Sequence, residues 1–259
     1  LAGGTDIYPA HVDRPLPGPV LDISALDELR GIEELPDGGW RIGALATWRE
    51  ICDVPLPGAF AALQMAGRQI GSIQVQNRAT IGGNLCNASP AADGVPPLMV
   101  LDANIEIVSG SGARTMALDG FITGNRQTRL AAGELVSAII IPESALSGVS
   151  TFAKLGARDY LVISIASVAV RLACSSDGEI SEVAISVGAC SPAPLRLGGL
   201  EKALAGAGRD NFSAAITGQA LSGLAPIDDV RASAAYRSEA AAEMIRRAVA
   251  ACLDEVGHA

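Results

Sequence analysis

Two short segments of this 259-residue chain carry the residues best suited to chemistry. In Gly3-Gly4-Thr5-Asp6, two glycines precede a hydroxyl and a carboxylate. Paired glycines let a backbone turn tightly, so that successive N–H groups converge on one concavity and bind a phosphate. Thr5 adds a hydroxyl donor. Thr80-Ile81-Gly82-Gly83-Asn84 repeats the design and is followed by Asn87, Ser89-Pro90 and Asp93. Two such loops in one domain suit a pyrophosphate gripped from both sides. Neither is a P-loop, since no Gly-Lys-Ser/Thr follows, and neither matches G-x-G-x-x-G. Gly110-Ser111-Gly112 lacks a third glycine and sits in an expected hairpin, so it is set aside. Taken singly, each Gly-Gly pair also reads as an ordinary turn.

The residues needed for other chemistries are missing. Two histidines, His11 and His258, leave no room for a serine triad or a histidine metal site. His11 reads as an exposed residue of a proline-rich loop away from either glycine loop, and His258 as part of a loose terminus. Asp27-Glu28 and Glu33-Glu34 look like solvated surface, and no acid–base pair presents itself. Cys52, Cys86, Cys174, Cys190 and Cys252 show no C-x-x-C spacing. A zinc or iron–sulfur signature is therefore lacking, and free thiols in a reducing, cytoplasmic compartment are expected. No catalytic residue and no metal ligand is assigned, so the hard chemistry falls to a cofactor.

Composition narrows the partners. The formal net charge is −9 and the 19 Lys and Arg are scattered, which opposes binding to a phosphate backbone. No apolar run approaches the roughly 18 residues of a membrane span; the longest, 161–173, is broken by Ser164, Ser167 and Arg171. No signal peptide is visible, although the chain opens on Leu1 inside a motif.

The elements that must position these loops divide into two sets, as a chain of this length allows. Val20–Ile23 and Trp40–Ala44 read as strands on either side of the turn Pro36-Asp37-Gly38-Gly39. Thr47 and Glu50 form a capping box for a helix over Trp48–Cys52. Residues 58–70 suit a helix with Phe60, Leu63 and Ala66 or Gly67 on one face. The stretch 71–94 reads as a long irregular, functional loop. A buried helix over Pro96–Leu101, a hairpin of Asn104–Val108 with Arg114–Leu118, and a strand over Leu135–Ile141 follow. Glu143–Val149 is the expected linker between a domain over 1–145 and another over 150–259. Beyond it come three antiparallel strands, Thr151–Ala157, Ile163–Cys174 and Ile180–Ala189, then helices over Leu200–Ala205, Phe212–Leu221 and Ala234–Val256. The last places Tyr236, Ala240, Met244, Ala248 and Cys252 on one stripe. Strands before helices is an α+β arrangement.

With these motifs in place, the chain resembles the FAD subunits of the xanthine dehydrogenase and carbon monoxide dehydrogenase family. The resemblance rests on residues 2–6, 79–93, Phe121–Thr128 and Phe152–Arg158 with Ile163–Ala166, in that order and over nearly the whole chain. It implies a para-cresol methylhydroxylase-type FAD-binding domain, then a carbon monoxide dehydrogenase flavoprotein C-terminal domain with a three-stranded antiparallel sheet and C-terminal helices. By the same resemblance, non-covalent FAD is held by Gly3, Gly4, Thr5, Asp6, Thr80, Gly82, Gly83, Asn84, Asn87, Ser89 and Asp93. Asp93 is expected on the ribose or adenine side, Val136 beside the flavin ring, and Lys154, with Arg158 less favoured, approaching from the second domain. The family's strand and helix before the first loop are absent here. Asn125 and Gln127 replace an aromatic and a basic residue of the Gly-x-Arg-x-Thr motif, which leaves the acceptor (NAD, oxygen or another) open.

The function implied is electron transfer. A large partner subunit with a molybdenum cofactor would oxidise substrate, and a small partner with [2Fe–2S] clusters would pass electrons to this flavin. No iron–sulfur cluster is expected in this chain. Two alternatives stand: a self-sufficient flavoenzyme on the same fold, and a cofactor-free structural subunit.

Overall fold

The computed structural model describes residues 1–16 and 18–257; His258 lies outside them. The first lobe opens with a turn-rich segment over 1–31 and then the strands β1 (Ile32–Glu34) and β2 (Trp40–Gly43). The apolar run Val20–Ile23 forms no strand. Val20 and Leu21 are exposed while Ile23 is buried, and the strand before the turn is instead Ile32–Glu34. Thr47 caps α1 (Trp48–Asp53) through the expected capping box. The helix α2 (Ala61–Gln69) buries Leu63, Ala66 and Gly67 after a short turn that buries Phe60.

The stretch 71–94 is the largest departure. It contains two short helices, α3 (Ile73–Gln76), capped by Ser72, and α4 (Ile81–Asn87), capped by Thr80. Gly82, Gly83 and Asn84 are poor helix formers, so periodicity gave no helical signal. The cap and the burial of Ile81 and Leu85 override propensity. The second glycine segment is therefore a helix start, not a loop.

The buried helix α5 (Val95–Val100) leads into the hairpin β3 (Asn104–Ser109) and β4 (Gly112–Ala117). A small hairpin, β5 (Ile122–Gly124) and β6 (Gln127–Thr128), precedes β7 (Leu135–Ile141). The order β1-β2-β7-β3-β4 makes one antiparallel five-stranded sheet. Its core joins Ile105, Ile107, Val136 and Ile139 to Trp48, Phe60, Ile81 and Leu98.

The second lobe is a four-stranded antiparallel sheet in the order β11-β10-β9-β8, from β8 (Val149–Leu155), β9 (Ala166–Cys174), β10 (Ile180–Gly188) and β11 (Leu195–Arg196). The helices α6 (Gly198–Leu204) and α7 (Ala234–Val256) pack on it. The expected helix over Phe212–Leu221 is only a turn at Phe212–Ala215 that buries Phe212. On α7 the buried stripe runs through Arg237, Ala241, Met244, Ala248 and Cys252, and Tyr236 is 49% exposed. Steps of four residues advance about 400° on a helix, so a stripe of fours drifts off the face.

Arg237 is 3% exposed and donates to the carbonyls of Ile165 (2.5 Å) and Ala189 (3.1 Å) and to the Asp229 carboxylate (2.7 Å). Backbone N–H groups of Arg231 and Ala232, with both guanidiniums, hold the Asp229 carboxyl down to about 2. A depressed carboxylate contributes stability above its unfolded value and loses it as pH falls through the folded one. The melting temperature of the chain is thus expected to drop between about pH 4 and pH 2, and in Asp229→Asn this drop is expected to be shallower. Identical melting curves across that window would contradict the assignment.

Small residues let the lobes meet closely. Ala62 and Ala66 of α2 and Val100 of α5 pack on Phe152, Ala169 and Ala184. Ser150 Oγ accepts from the Ala62 N–H at 2.8 Å and donates to the Ala59 carbonyl at 2.7 Å. Arg171 donates to the Val100 carbonyl and Arg196 to the Met99 carbonyl, each at 2.8 Å. Arg171 thus satisfies a carbonyl that the end of α5 leaves without a backbone partner, and Arg196 joins the Asp102 N–H on the Met99 carbonyl.

Candidate functional site

A cleft of about 880 Å3 opens between the segment Gly3–Asp6, the start of α4 and a turn of the second lobe at Leu161, Val162 and Ile163. Gly3 fits only as glycine, because a Cβ there would lie 2.0 Å from the Arg78 carbonyl oxygen. Gly4 has φ +73°, the left-handed region that favours glycine. Among the described residues, no acceptor is found for the backbone N–H groups of Gly3 through Ile7. Consecutive unpaired amides in a turn are donors for an anion.

The opposite wall differs from expectation. The Thr80 Oγ accepts from the Gly83 N–H at 3.1 Å, and Asn84 N–H bonds the Thr80 carbonyl at 3.0 Å. Ile81 and Gly82 N–H donate to the carbonyls of Ala46 and Ala44, both at 2.9 Å. Every amide of this first turn is spent inside the protein. The grip on an anion is therefore one-sided in its backbone donors, and the second segment offers side chains: the Thr80 hydroxyl hydrogen, Asn84 and Asn87.

Of the residues expected at the site, Gly3, Gly4, Thr5, Asp6, Thr80, Gly83, Asn84 and Asn87 line this cleft. Five do not. Gly82 is a packing glycine, with a would-be Cβ 2.7 Å from Ala44. Ser89 Oγ accepts from the Ala91 N–H, closing a turn. Val136 is 2% exposed inside β7, opposite Ile107. Asp93 and Lys154 form a buried ion pair at 2.7 Å, their side chains 7% exposed. The other Asp93 oxygen accepts from Ser164 Oγ at 2.6 Å, and Lys154 Nζ also donates to the Gln69 carbonyl at 3.3 Å. These charges face each other, and their effect on the cleft is indirect: Ser164 and Lys154 flank the turn that carries Leu161–Ile163. Arg158 steadies the same turn by donating to the Leu161 carbonyl at 2.7 Å.

The structure also brings in residues that sequence reading passed over. His11 lines the cleft, its Nδ1 2.9 Å from the Ile7 carbonyl, so one histidine does sit beside the first glycine segment. Arg126 lines it too, and its place in the Gly124-Asn125-Arg126 turn was the available signal. Cys86 lies on the wall with one side open to solvent, and crowding by protein pushes its thiol above the usual cysteine range. Trp48 Nε1 and Asn84 Oδ1 belong to cleft-lining residues, are buried, and have no hydrogen-bond partner among the described residues.

These features define a protein that binds an extended ligand with an anionic link and apolar parts. Pockets for such ligands typically span roughly 300–1,000 Å3. FAD fits on two counts: unpaired amides for its diphosphate and an apolar turn at one side.

Comparison with known proteins agrees. Residues 1–144 match the FAD binding domain in molybdopterin dehydrogenase, and residues 150–252 the CO dehydrogenase flavoprotein C-terminal domain. The xanthine dehydrogenase FAD-binding subunit of Escherichia coli O157:H7 is 31% identical over 262 residues, covering 99% of this chain and 89% of that one. The nicotinate dehydrogenase FAD-subunit of Eubacterium barkeri is 34% identical over 212 residues, 80% of this chain and 71% of its own. A solved carbon monoxide dehydrogenase chain from Hydrogenophaga pseudoflava superposes with a TM-score of 0.87 at 29% identity, covering 97% and 88% of the two chains. The chain belongs to the family of FAD-binding subunits of the molybdenum hydroxylases, with the α+β fold of that family.

Proposed function

We propose that this chain is the electron-transfer subunit of a multi-subunit dehydrogenase, holding FAD in the cleft between Gly3–Asp6 and the start of α4. The observation that carries the reading is the row of unpaired amides from Gly3 to Ile7 on the cleft wall. When bound, FAD supplies the exchange between one-electron and two-electron transfer. The Gly3–Asp6 amides, with the hydroxyls of Thr5 and Thr80, hold the diphosphate. Asn84 and Asn87 orient the polar groups that extend from it. Leu161, Val162 and Ile163 would shield an apolar part of the bound cofactor from water, and Asp93, Lys154 and Ser164 keep that turn in place.

The partners are a large molybdenum-cofactor subunit, which oxidises substrate, and a small subunit whose [2Fe–2S] clusters deliver electrons to this one. The relatives act on xanthine, nicotinate and carbon monoxide as parts of their complexes, so substrate choice belongs to the large subunit. Asn125 and Gln127 are exposed outside the cleft and set the surface a terminal acceptor meets. No helix of the described residues is long and apolar enough to cross a membrane, and the cysteines of the described residues are free, which supports a cytoplasmic complex.

Affinity purification of the full chain from its native cells tests the assembly. A yellow preparation carrying molybdenum, iron and two further subunits is the expected result. Turnover of an oxidisable substrate by this chain alone would favour a self-sufficient flavoenzyme. A preparation without molybdenum, iron or flavin would favour a structural subunit.

A further inference from the structure

One side chain ties the two walls of the cleft together. Arg126 Nη1 donates to Asp6 Oδ2 at 2.8 Å and to Asn87 Oδ1 through a short contact. Its backbone N–H donates to the Ala88 carbonyl at 2.8 Å. Arg126 has φ +59° and Ala88, which ends α4, has φ +46°. Both are left-handed conformations in which a residue other than glycine is uncommon, so the hairpin tip is held in a specific pose. Asp6 closes the segment whose amides are unpaired, and Asn87 ends the helix that Thr80 begins. Among the described residues, Asp6 to Arg126 is the side-chain hydrogen bond that anchors Gly3–Asp6 to the rest of the protein.

Charge makes the arrangement informative. A carboxylate on the wall of a cleft that receives a diphosphate opposes binding by simple Coulomb repulsion. The Asp6 carboxylate is spared that penalty by the Arg126 guanidinium at 2.8 Å, so the pair adds no net charge to the cleft and what it contributes is a fixed position. We infer that Arg126 is a positioning residue for FAD, acting through Asp6 and Asn87 as a clasp that holds the first glycine segment against the end of α4.

This rests on the FAD reading above, and the test separates the two. FAD dissociation constants are measured by titration of the full chain for the unaltered protein, Asp6→Asn, Arg126→Gln, the double variant, and the charge-exchanged Asp6→Arg with Arg126→Asp. Both side chains are more than half exposed, so melting temperatures are expected to stay level while affinity moves. The clasp predicts that Asp6→Asn weakens FAD by about tenfold or more although it removes a negative charge, an effect of the size of one lost charge-assisted hydrogen bond. Arg126→Gln is expected to match it, the double variant to be no worse than either single change, and the charge exchange to recover part of the loss. Unchanged or tighter binding in Asp6→Asn, or losses that add in the double variant, would overturn the clasp while leaving the FAD site standing. An unaltered chain that takes up no FAD would overturn both.

Discussion

A Gly83→Val chain is expected to fold and to purify without flavin. Gly83 lies on the cleft wall, and even a Cβ there comes within 2.8 Å of the Thr80 Oγ. Valine carries that intrusion further, into the space between the two glycine segments, and displaces the hydroxyl that caps α4. The helix itself does not suffer from the residue type, since valine is a better helix former than glycine. Loss of the cap costs about 1 kcal/mol, which is small beside the stability of a chain with two cores. FAD affinity is expected to fall at least about a hundredfold, with the far-ultraviolet spectrum unchanged and Gly83→Ala intermediate. Flavin occupancy equal to that of the unaltered protein would remove Gly83 from the site.

The second large effect concerns the lobes. Lys154→Met strands the Asp93 carboxylate in a place where both side chains are 7% exposed. Removing one partner of a buried pair costs about 3–5 kcal/mol, because the remaining charge is left uncompensated. Denaturant titration is expected to show a loss of that size, and Asp93→Leu in the same chain is expected to return most of it. Because Asp93 also accepts from Ser164, the single variant is further expected to loosen the turn at Leu161–Ile163 and raise its hydrogen exchange. A loss under about 1 kcal/mol would mean the pair is solvated and worth no more than a surface contact.

Much of the fold was legible because alternation and caps leave strong marks. Leu135–Ile141 and Ala234–Val256 were bounded correctly, and the Thr47–Glu50 capping box identified α1. What escaped was set by tertiary contact. Val20–Ile23 has the residue types of a strand, but its side chains do not alternate between core and solvent. The segment 71–94 has the composition of a loop, yet α4 forms because Thr80 caps it and Ile81 and Leu85 are buried.

The site was legible to a similar degree. Glycine pairs mark tight backbone, so Gly3–Asp6 and Thr80–Asn84 were found as segments. Spacing cannot say which amides remain free, and the first turn of α4 turned out to spend its own on Ala44, Ala46 and Thr80. Nor can it tell a cleft-lining charge from a buried pair: Asp93 and Lys154 were expected on the ligand by resemblance alone, and the sequence held no sign that they face each other. Arg126 was marked only by its turn at Gly124-Asn125-Arg126, and Leu161–Ile163 reach the cleft through long-range folding that no local pattern encodes.

The most direct test of the account is the flavin content of the purified full chain, read from its visible absorption and from FAD released on denaturation. The account predicts a yellow protein with one FAD per chain, restored by added FAD if lost in handling. A folded chain that is colourless and stays so after incubation with excess FAD would contradict it.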